Sequence, residues 1–264
     1  MFSHILYKYG QALIVGRDMR ETSPALQKAV IKGMNDENIQ VIDIGMTTSP
    51  LFNFTCASYQ EHAGGIMVTA SHNPAEYNGF KMTLGDGLPV GEAFGMAEVK
   101  DLVMKVEWGK GKGLAKVVEF SPLADYLANI FQLVNPASLK PMKIVIDAGN
   151  GMAGKIVPLV FKGLPIKIVP LYFKLDGTFP NHPADPSKSE NLAELQKAVV
   201  NQKCDFGMAF DGDADRIFFV DENGQIINSS LVSALIIKNI QIKNKKQKII
   251  YNLVCSHIVP ETIK

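Results

Sequence analysis

The chain is short of the features that commit a protein to disulfide, membrane or nucleic-acid chemistry. It has 3 cysteines, Cys56, Cys204 and Cys255, an odd number without metal or redox spacing, which points to reduced thiols in a cytosol. No apolar run is long enough to span a bilayer, and the start Met1-Phe2-Ser3-His4-Ile5-Leu6-Tyr7-Lys8 lacks the architecture of a secretory signal. A soluble cytoplasmic protein without a membrane partner is expected. An excess of one charge is missing too. The 27 basic and 26 acidic residues leave a net charge of +1, so the overall field calls for neither nucleic acid nor an anionic surface. The densest basic run, Lys243 to Lys248, reads as a solvated loop at a helix end. What remains is ordinary globular material, 47% hydrophobic and 20% charged over 264 residues, enough for roughly two domains.

Periodicity divides the chain into alternating elements. Ala12 to Val15 reads as a buried strand that ends in the polar turn Gly16-Arg17-Asp18-Met19-Arg20-Glu21. Ser23-Pro24 supplies a helix N-cap and first helical residue, with Leu26, Val30 and Ile31 near helical spacing. A strand over Gln40 to Ile44, a helix opening at Thr47 to Pro50 and a strand over Gly65 to Thr69 follow. This order predicts a parallel sheet with helices on its faces, with ligands at the carboxyl ends of strands. Helices are expected over Glu98 to Val106 and from Ser121-Pro122, the latter placing Leu123, Leu127, Ile130, Phe131 and Val134 on one face. Gly109-Lys110-Gly111-Lys112-Gly113 between them reads as a flexible connector.

A second alternation starts with the strand Lys143 to Asp147, continues through a strand over Ile166 to Phe173 and a helix over Glu190 to Asn201, and reaches the strands Phe206 to Phe210 and Ile217 to Val220. Gly149-Asn150-Gly151-Met152-Ala153-Gly154 formally matches a dinucleotide fingerprint, but Pro158 falls in the helix that should cradle a pyrophosphate. A tight strand-to-helix turn is the better use of those glycines. A proline-pinned loop spans Asn181 to Pro186. Past the hairpin turn Asp221-Glu222-Asn223-Gly224, a helix over Ser230 to Ile240 and a strand over Lys248 to Val254 are expected. The expected fold class is α/β, with two consecutive mixed or parallel-sheet domains over residues 1–120 and 121–224 and the start of a third over 225–264.

Two stretches carry chemistry. In Thr69-Ala70-Ser71-His72-Asn73-Pro74 a hydroxyl, an imidazole and an amide are presented at a strand end, and Pro74 biases Asn73 away from helical dihedrals. Asn78-Gly79 is a turn signal that brings Lys81 back along the strand, a set of groups suited to an oxygen-rich anion such as phosphate. An ordinary surface turn is the alternative. In Asp211-Gly212-Asp213-Ala214-Asp215-Arg216, three carboxylates at alternate positions can curl around one small hard cation, and oxygen-only ligation suits Mg²⁺. An EF-hand fails, because its sixth position would be Arg216 instead of Gly and its flanks are strand-like. An aspartyl-phosphatase motif fits poorly at Asp215, and a plain hairpin tip leaves three adjacent like charges without an offsetting benefit.

Taken in order, Thr69 to Pro74, Asn78 to Lys81, Asp147 to Gly154 and Asp211 to Arg216 resemble the α-D-phosphohexomutase family, in its phosphomannomutase/phosphoglucomutase branch. The resemblance covers essentially the whole chain. It implies an isomerase working by phosphotransfer, which moves phosphate between C1 and C6 of a hexose through a phosphoserine, with a hexose 1,6-bisphosphate as intermediate and activator. Ser71 would carry the phosphoryl group, and His72 and Lys81 would assist proton transfer near the reacting hydroxyl. Asn73, Arg17 and Arg216 would bind phosphate or substrate. Ser71, Asp211, Asp213 and Asp215 would hold Mg²⁺. The departures are also legible. The family's first strand and Tyr-Asp-x-Arg-Gly loop have no counterpart before Gln11. The sugar-recognition loop and the fourth domain are missing, Ala214 stands where many members have Gly, and His257 stands where Arg is expected. The expectation is a truncated mutase, impaired alone or completed by a separately encoded C-terminal half, with a non-catalytic remnant as the alternative.

Overall fold

The computed structural model describes residues 12–59, 62–105, 115–243 and 247–264. The connector at 109–113 and the departure before Gln11 lie outside the described residues. β1 (Ala12–Arg17) is the middle of a five-stranded sheet ordered β4-β3-β1-β2-β5. It pairs in parallel with β2 (Val41–Met46) on one side and β3 (His62–Val68) on the other. The helices α1 (Ser23–Asp36) and α2 (Ser49–Ser58) make the crossovers. β4 (Phe80–Leu84) returns antiparallel on β3 and sets Lys81 opposite Met67, as the Asn78-Gly79 turn demands. After α3 (Ala97–Lys105), β5 (Val117–Glu119) adds to the edge of β2.

The period of two along β1 sorts its side chains between two cores. Leu13 and Val15 join Met34, Ile39 and Val41 on the α1 face, while Ile14 joins Leu51, Phe52, Cys56 and Met67 under α2. α4 (Leu123–Leu133) has no fully buried residue and touches that second core through Leu123 and Tyr126.

The second sheet is ordered β10-β9-β8-β6-β7. β6 (Met142–Asp147), α5 (Ala153–Val160) and β7 (Ile166–Leu171) form one parallel crossover, and α6 (Ala193–Asn201) leads to β8 (Phe206–Phe210), parallel to β6. β9 (Ile217–Asp221) and β10 (Ile226–Ile227) turn back as antiparallel strands. Leu192, Leu195 and Val199 of the α6 region cover Val145 and Val220, and Val157 of α5 covers Ile144, Ile146 and Met208.

α7 (Ser229–Lys243) and α8 (Ile258–Ile263) close the chain. The strand expected over Lys248 to Val254 is not there. Ile250, Leu253 and Val254 are almost wholly exposed, and the backbone from 247 to 252 has no regular structure. A β-prone run becomes a strand only where a neighbour completes its hydrogen-bond ladder, and no strand runs beside it among the described residues. A smaller correction concerns Ser23. It is the first helical residue rather than a cap, and its hydroxyl donates to Asp18 Oδ1 at 2.5 Å.

Candidate active site between the two sheets

The polar loop at the carboxyl end of β3 is held in an uncommon conformation. Ser71 has φ of 52°, in the left-handed region where a side chain is strained, so the surroundings must fix it. Ser71 N–H donates to Thr69 Oγ1 at 2.9 Å and Asn73 N–H donates to Ala70 O at 3.0 Å. The larger restraint is Arg20, from the loop after β1. Its guanidinium donates to Ser71 O (2.9 Å), Asn73 O (2.6 Å), Pro74 O (2.7 Å) and Tyr77 O (3.0 Å). Arg20 is 1% exposed, lies 5.0 Å from the centre of the Phe179 ring and has Nε 3.3 Å from Asp18 Oδ2. Burial lowers its pKa, against the opposing pull of Asp18. Asp18 Oδ1 in turn accepts from Arg20 N–H at 3.0 Å.

The carboxylate loop between β8 and β9 closes on itself. Asp211 Oδ1 accepts from the N–H groups of Asp215 (3.0 Å) and Arg216 (3.1 Å), and Ala214 takes φ of 62° at the bend. Asp211, Asp213 and Asp215 each bring an oxygen to within 4.8 Å of the others, the first two buried and the third exposed. The two loops meet at Gly212. A Cβ there would lie 2.4 Å from Ser71 O, so only glycine lets the backbones approach this closely. Beneath, Met152 N–H donates to Gly212 O at 2.9 Å, and a Cβ on Gly151 would sit 2.8 Å from that same oxygen. Gly151 therefore serves the packing of the strand-to-helix turn against the carboxylate loop, while a Cβ on Gly154 would lie 2.1 Å from Phe173 O. Behind them His182 spans Asp147 Oδ2 (3.0 Å) and Pro183 O (2.8 Å). Both partners are acceptors, which favours the doubly protonated ring. Burial alone would lower its pKa, but the bond to Asp147 raises it.

The assembled cluster joins groups far apart in the chain. The Ser71 hydroxyl donates to Asp211 Oδ2 at 2.7 Å, and Lys81 Nζ reaches Asp213 Oδ2 at 2.6 Å and Asp215 Oδ2 at 2.7 Å. Ser49, at the start of α2, donates its hydroxyl to Asp213 Oδ2 at 2.6 Å. Burial, and then the charge of Asp213, push the Asp211 carboxyl up to about 7. For Asp213 burial acts upward, but Lys81 outweighs it and holds the carboxyl below its ordinary range. Burial would likewise lower the Lys81 ammonium, which Asp213 nonetheless raises above its usual value. The residues fit a hard divalent cation: the donors are all oxygen, Asp213 Oδ1 is buried without a hydrogen-bond partner, and an ammonium already lies against two of the three carboxylates.

Of the residues singled out in the sequence, Ser71, Lys81, Asp211, Asp213 and Asp215 converge. Arg216 lies at the rim, half-exposed, with Nε 3.9 Å from Asp215 Oδ1. His72 adjoins the serine with Nδ1 buried and unbonded, and Asn73 is exposed. Arg17 stands apart. Its side-chain bond runs to Asp18 O at 3.0 Å, and Arg20 is the guanidinium that reaches the serine loop. Arg20, Ser49 and Thr69 were missed. Their available signals were a second arginine at the same strand end, and hydroxyls at a helix start and a strand end.

A model of the phosphoglucomutase/phosphomannomutase α/β/α domain I matches residues 2–110, and the corresponding domain II model matches residues 122–224. Among named relatives, a phosphoglucomutase of Neisseria meningitidis serogroup B is 36% identical over 96% of this chain and 54% of its own length. A phosphomannomutase/phosphoglucomutase of Pseudomonas aeruginosa is 37% identical over 92% of this chain and 51% of its own length. A solved phosphoglucomutase/phosphomannomutase family protein from Burkholderia thailandensis superposes with a TM-score of 0.85 at 30% identity, covering 99% of this chain and 58% of that one. The chain thus spans about half the length of the relatives it matches, each of them a single polypeptide, and a separately encoded C-terminal half gains no support from them. With both domain models matched along most of its length, the chain belongs to the phosphoglucomutase/phosphomannomutase family of α-D-phosphohexomutases.

Proposed function

We propose that this chain carries the phosphoryl-transfer half-site of a phosphohexomutase, an isomerase that interconverts hexose 1-phosphate and hexose 6-phosphate, with mannose or glucose as the sugar. The observation that carries the reading is the Ser71 hydroxyl, fixed 2.7 Å from Asp211 at the edge of a three-carboxylate cluster. In the charging step an Oγ–P bond forms on Ser71 as the P–O bond to the hexose 1,6-bisphosphate breaks, and the serine proton passes to the released sugar oxygen. In turnover the phosphoserine passes its phosphoryl group to the free hydroxyl of a hexose monophosphate, the Oγ–P bond breaking as the sugar O–P bond forms, and the resulting bisphosphate turns over and returns its other phosphate to Ser71. Asp211 Oδ2, which accepts from the Ser71 hydroxyl at 2.7 Å, holds that hydroxyl against the carboxylate cluster. Lys81, which lies against Asp213 and Asp215, and His72, next to the serine in sequence, assist transfer of the serine proton. Arg216 at the rim binds phosphate, with Asn73 and Arg17 as flanking contacts. Asp211, Asp213 and Asp215, with an oxygen on Ser71, hold Mg²⁺, whose charge when bound neutralises the transferred group.

The step that the described residues support directly is charging of the serine. Intact mass of the purified chain after incubation with Mg²⁺ and a hexose 1,6-bisphosphate tests this. One added phosphoryl group, absent in Ser71→Ala, is the expected result. No addition in folded protein overturns the half-site reading and favours the remnant.

A further inference from the structure

Asp213 has two oxygens in unequal surroundings. Oδ2 receives the Ser49 hydroxyl at 2.6 Å, Lys81 Nζ at 2.6 Å and the Thr69 hydroxyl at 3.3 Å. Oδ1 is equally buried and receives nothing. A bare buried carboxylate oxygen carries a desolvation cost that a cation would remove. The donors on Oδ2 fix the rotation of the carboxylate and leave Oδ1 for that cation.

The three donors are not equivalent. Lys81 has a flexible stem and is 39% exposed. Thr69 is distant, and its hydroxyl oxygen already accepts from Ser71 N–H. Ser49 is 1% exposed, sits in the first turn of α2, and grips Asp213 twice, because its own N–H donates to Asp213 O at 3.0 Å. The two residues are 164 positions apart, on elements of different sheets. Ser49 thus brings the first sheet's framework to bear on a carboxylate of the second.

We infer that Ser49 is a positioning residue for the cation site, setting the rotation of Asp213 before any cation arrives. The inference rests on reading the three carboxylates as a cation site. Partners that hold a metal ligand in place are worth about 10- to 100-fold in affinity. The test is a Mn²⁺ titration of the whole chain, following free Mn²⁺ by electron paramagnetic resonance, with a cooperative melt in EDTA to establish that each variant is folded. Ser49→Ala should raise the Mn²⁺ Kd by about tenfold or more, and Ser49→Thr, which keeps the hydroxyl, should fall much closer to the native value. Should the alanine variant fail to melt cooperatively, Ser49→Cys, which keeps the shape and weakens the bond, reads the same Kd with the same expected direction. A native-like Kd in folded Ser49→Ala overturns the role of Ser49, as does equal weakening by Ala and Thr. A native chain that takes up no Mn²⁺ overturns the cation reading itself, which is a different failure.

Discussion

The serine loop and the carboxylate loop occupy equivalent places, each at the carboxyl end of a strand in its own sheet, but they are held by opposite means. The carboxylate loop is self-closing: Asp211 spans its own loop and takes the N–H groups of Asp215 and Arg216. The serine loop is held from outside by one buried guanidinium that collects four of its carbonyls. A self-closing loop keeps its form wherever the chain can make a hairpin. A loop held by a remote cation has its form only inside the completed sheet. The strained Ser71 backbone belongs to the second kind, and its conformation is a property of the assembled unit.

The sharpest way to break this contrast is Arg20→Met. It strands four carbonyls and the buried Asp18 carboxylate, and should cost about 3–5 kcal/mol in urea unfolding. A loss near zero would mean that the serine loop holds itself. Next comes Gly212→Ala, which forces apart two backbones that a Cβ would bring to 2.4 Å. A loss of about 1–3 kcal/mol is expected, read as a lower urea midpoint at unchanged slope.

The carboxylate loop can be probed by pH without mutation. A cation binds Asp211 only when it is ionised, and its carboxyl lies at about 7. Mn²⁺ Kd should therefore rise about tenfold per pH unit below 7 and level off above it. A flat profile from pH 5.5 to 8.5 would contradict that assignment.

The smallest effect concerns His182, which braces the turn after β6. The folded pKa of His182 is raised, so its contribution is fully present below the unfolded value of about 6.5 and is lost as pH rises through the folded value. His182→Gln should cost about 1 kcal/mol at pH 5.5 and progressively less at higher pH, measured as the gap in Tm from the native chain. An equal gap at pH 5.5 and 8.5 would mean that the charge on the ring contributes nothing.

Much of this was legible along the chain. The alternating Leu13, Ile14 and Val15 of β1, the Asn78-Gly79 turn and the proline-led helix starts place strands and crossovers through local propensity and period. The Ser71 loop and the Asp211 loop stand out because several unlike polar groups, or several like charges, crowd a strand end. Lys248 to Val254 shows the limit of such reading. Its composition is that of a strand, but strand formation is settled by a neighbour that the local sequence does not name. Arg17 and Arg20 show another limit: both sit at the same strand end, and only the packed geometry decides which one points at the serine loop.

By itself, then, the sequence determined the order of most elements up to the hairpin at Asp221, the two chemical loops and the family, because each depends on motifs whose residues lie within a few positions of one another. Only the tertiary structure decided that Ser71 meets Asp211 across 140 positions, that Lys81 bridges Asp213 and Asp215, and that Arg20 and Ser49 are the residues holding the cluster in place. Those contacts follow from how the loops at the carboxyl ends of strands in the two sheets meet. Directional bonds of this kind exist only once buried backbone and carboxylate groups have been brought out of water and must find their partners in each other.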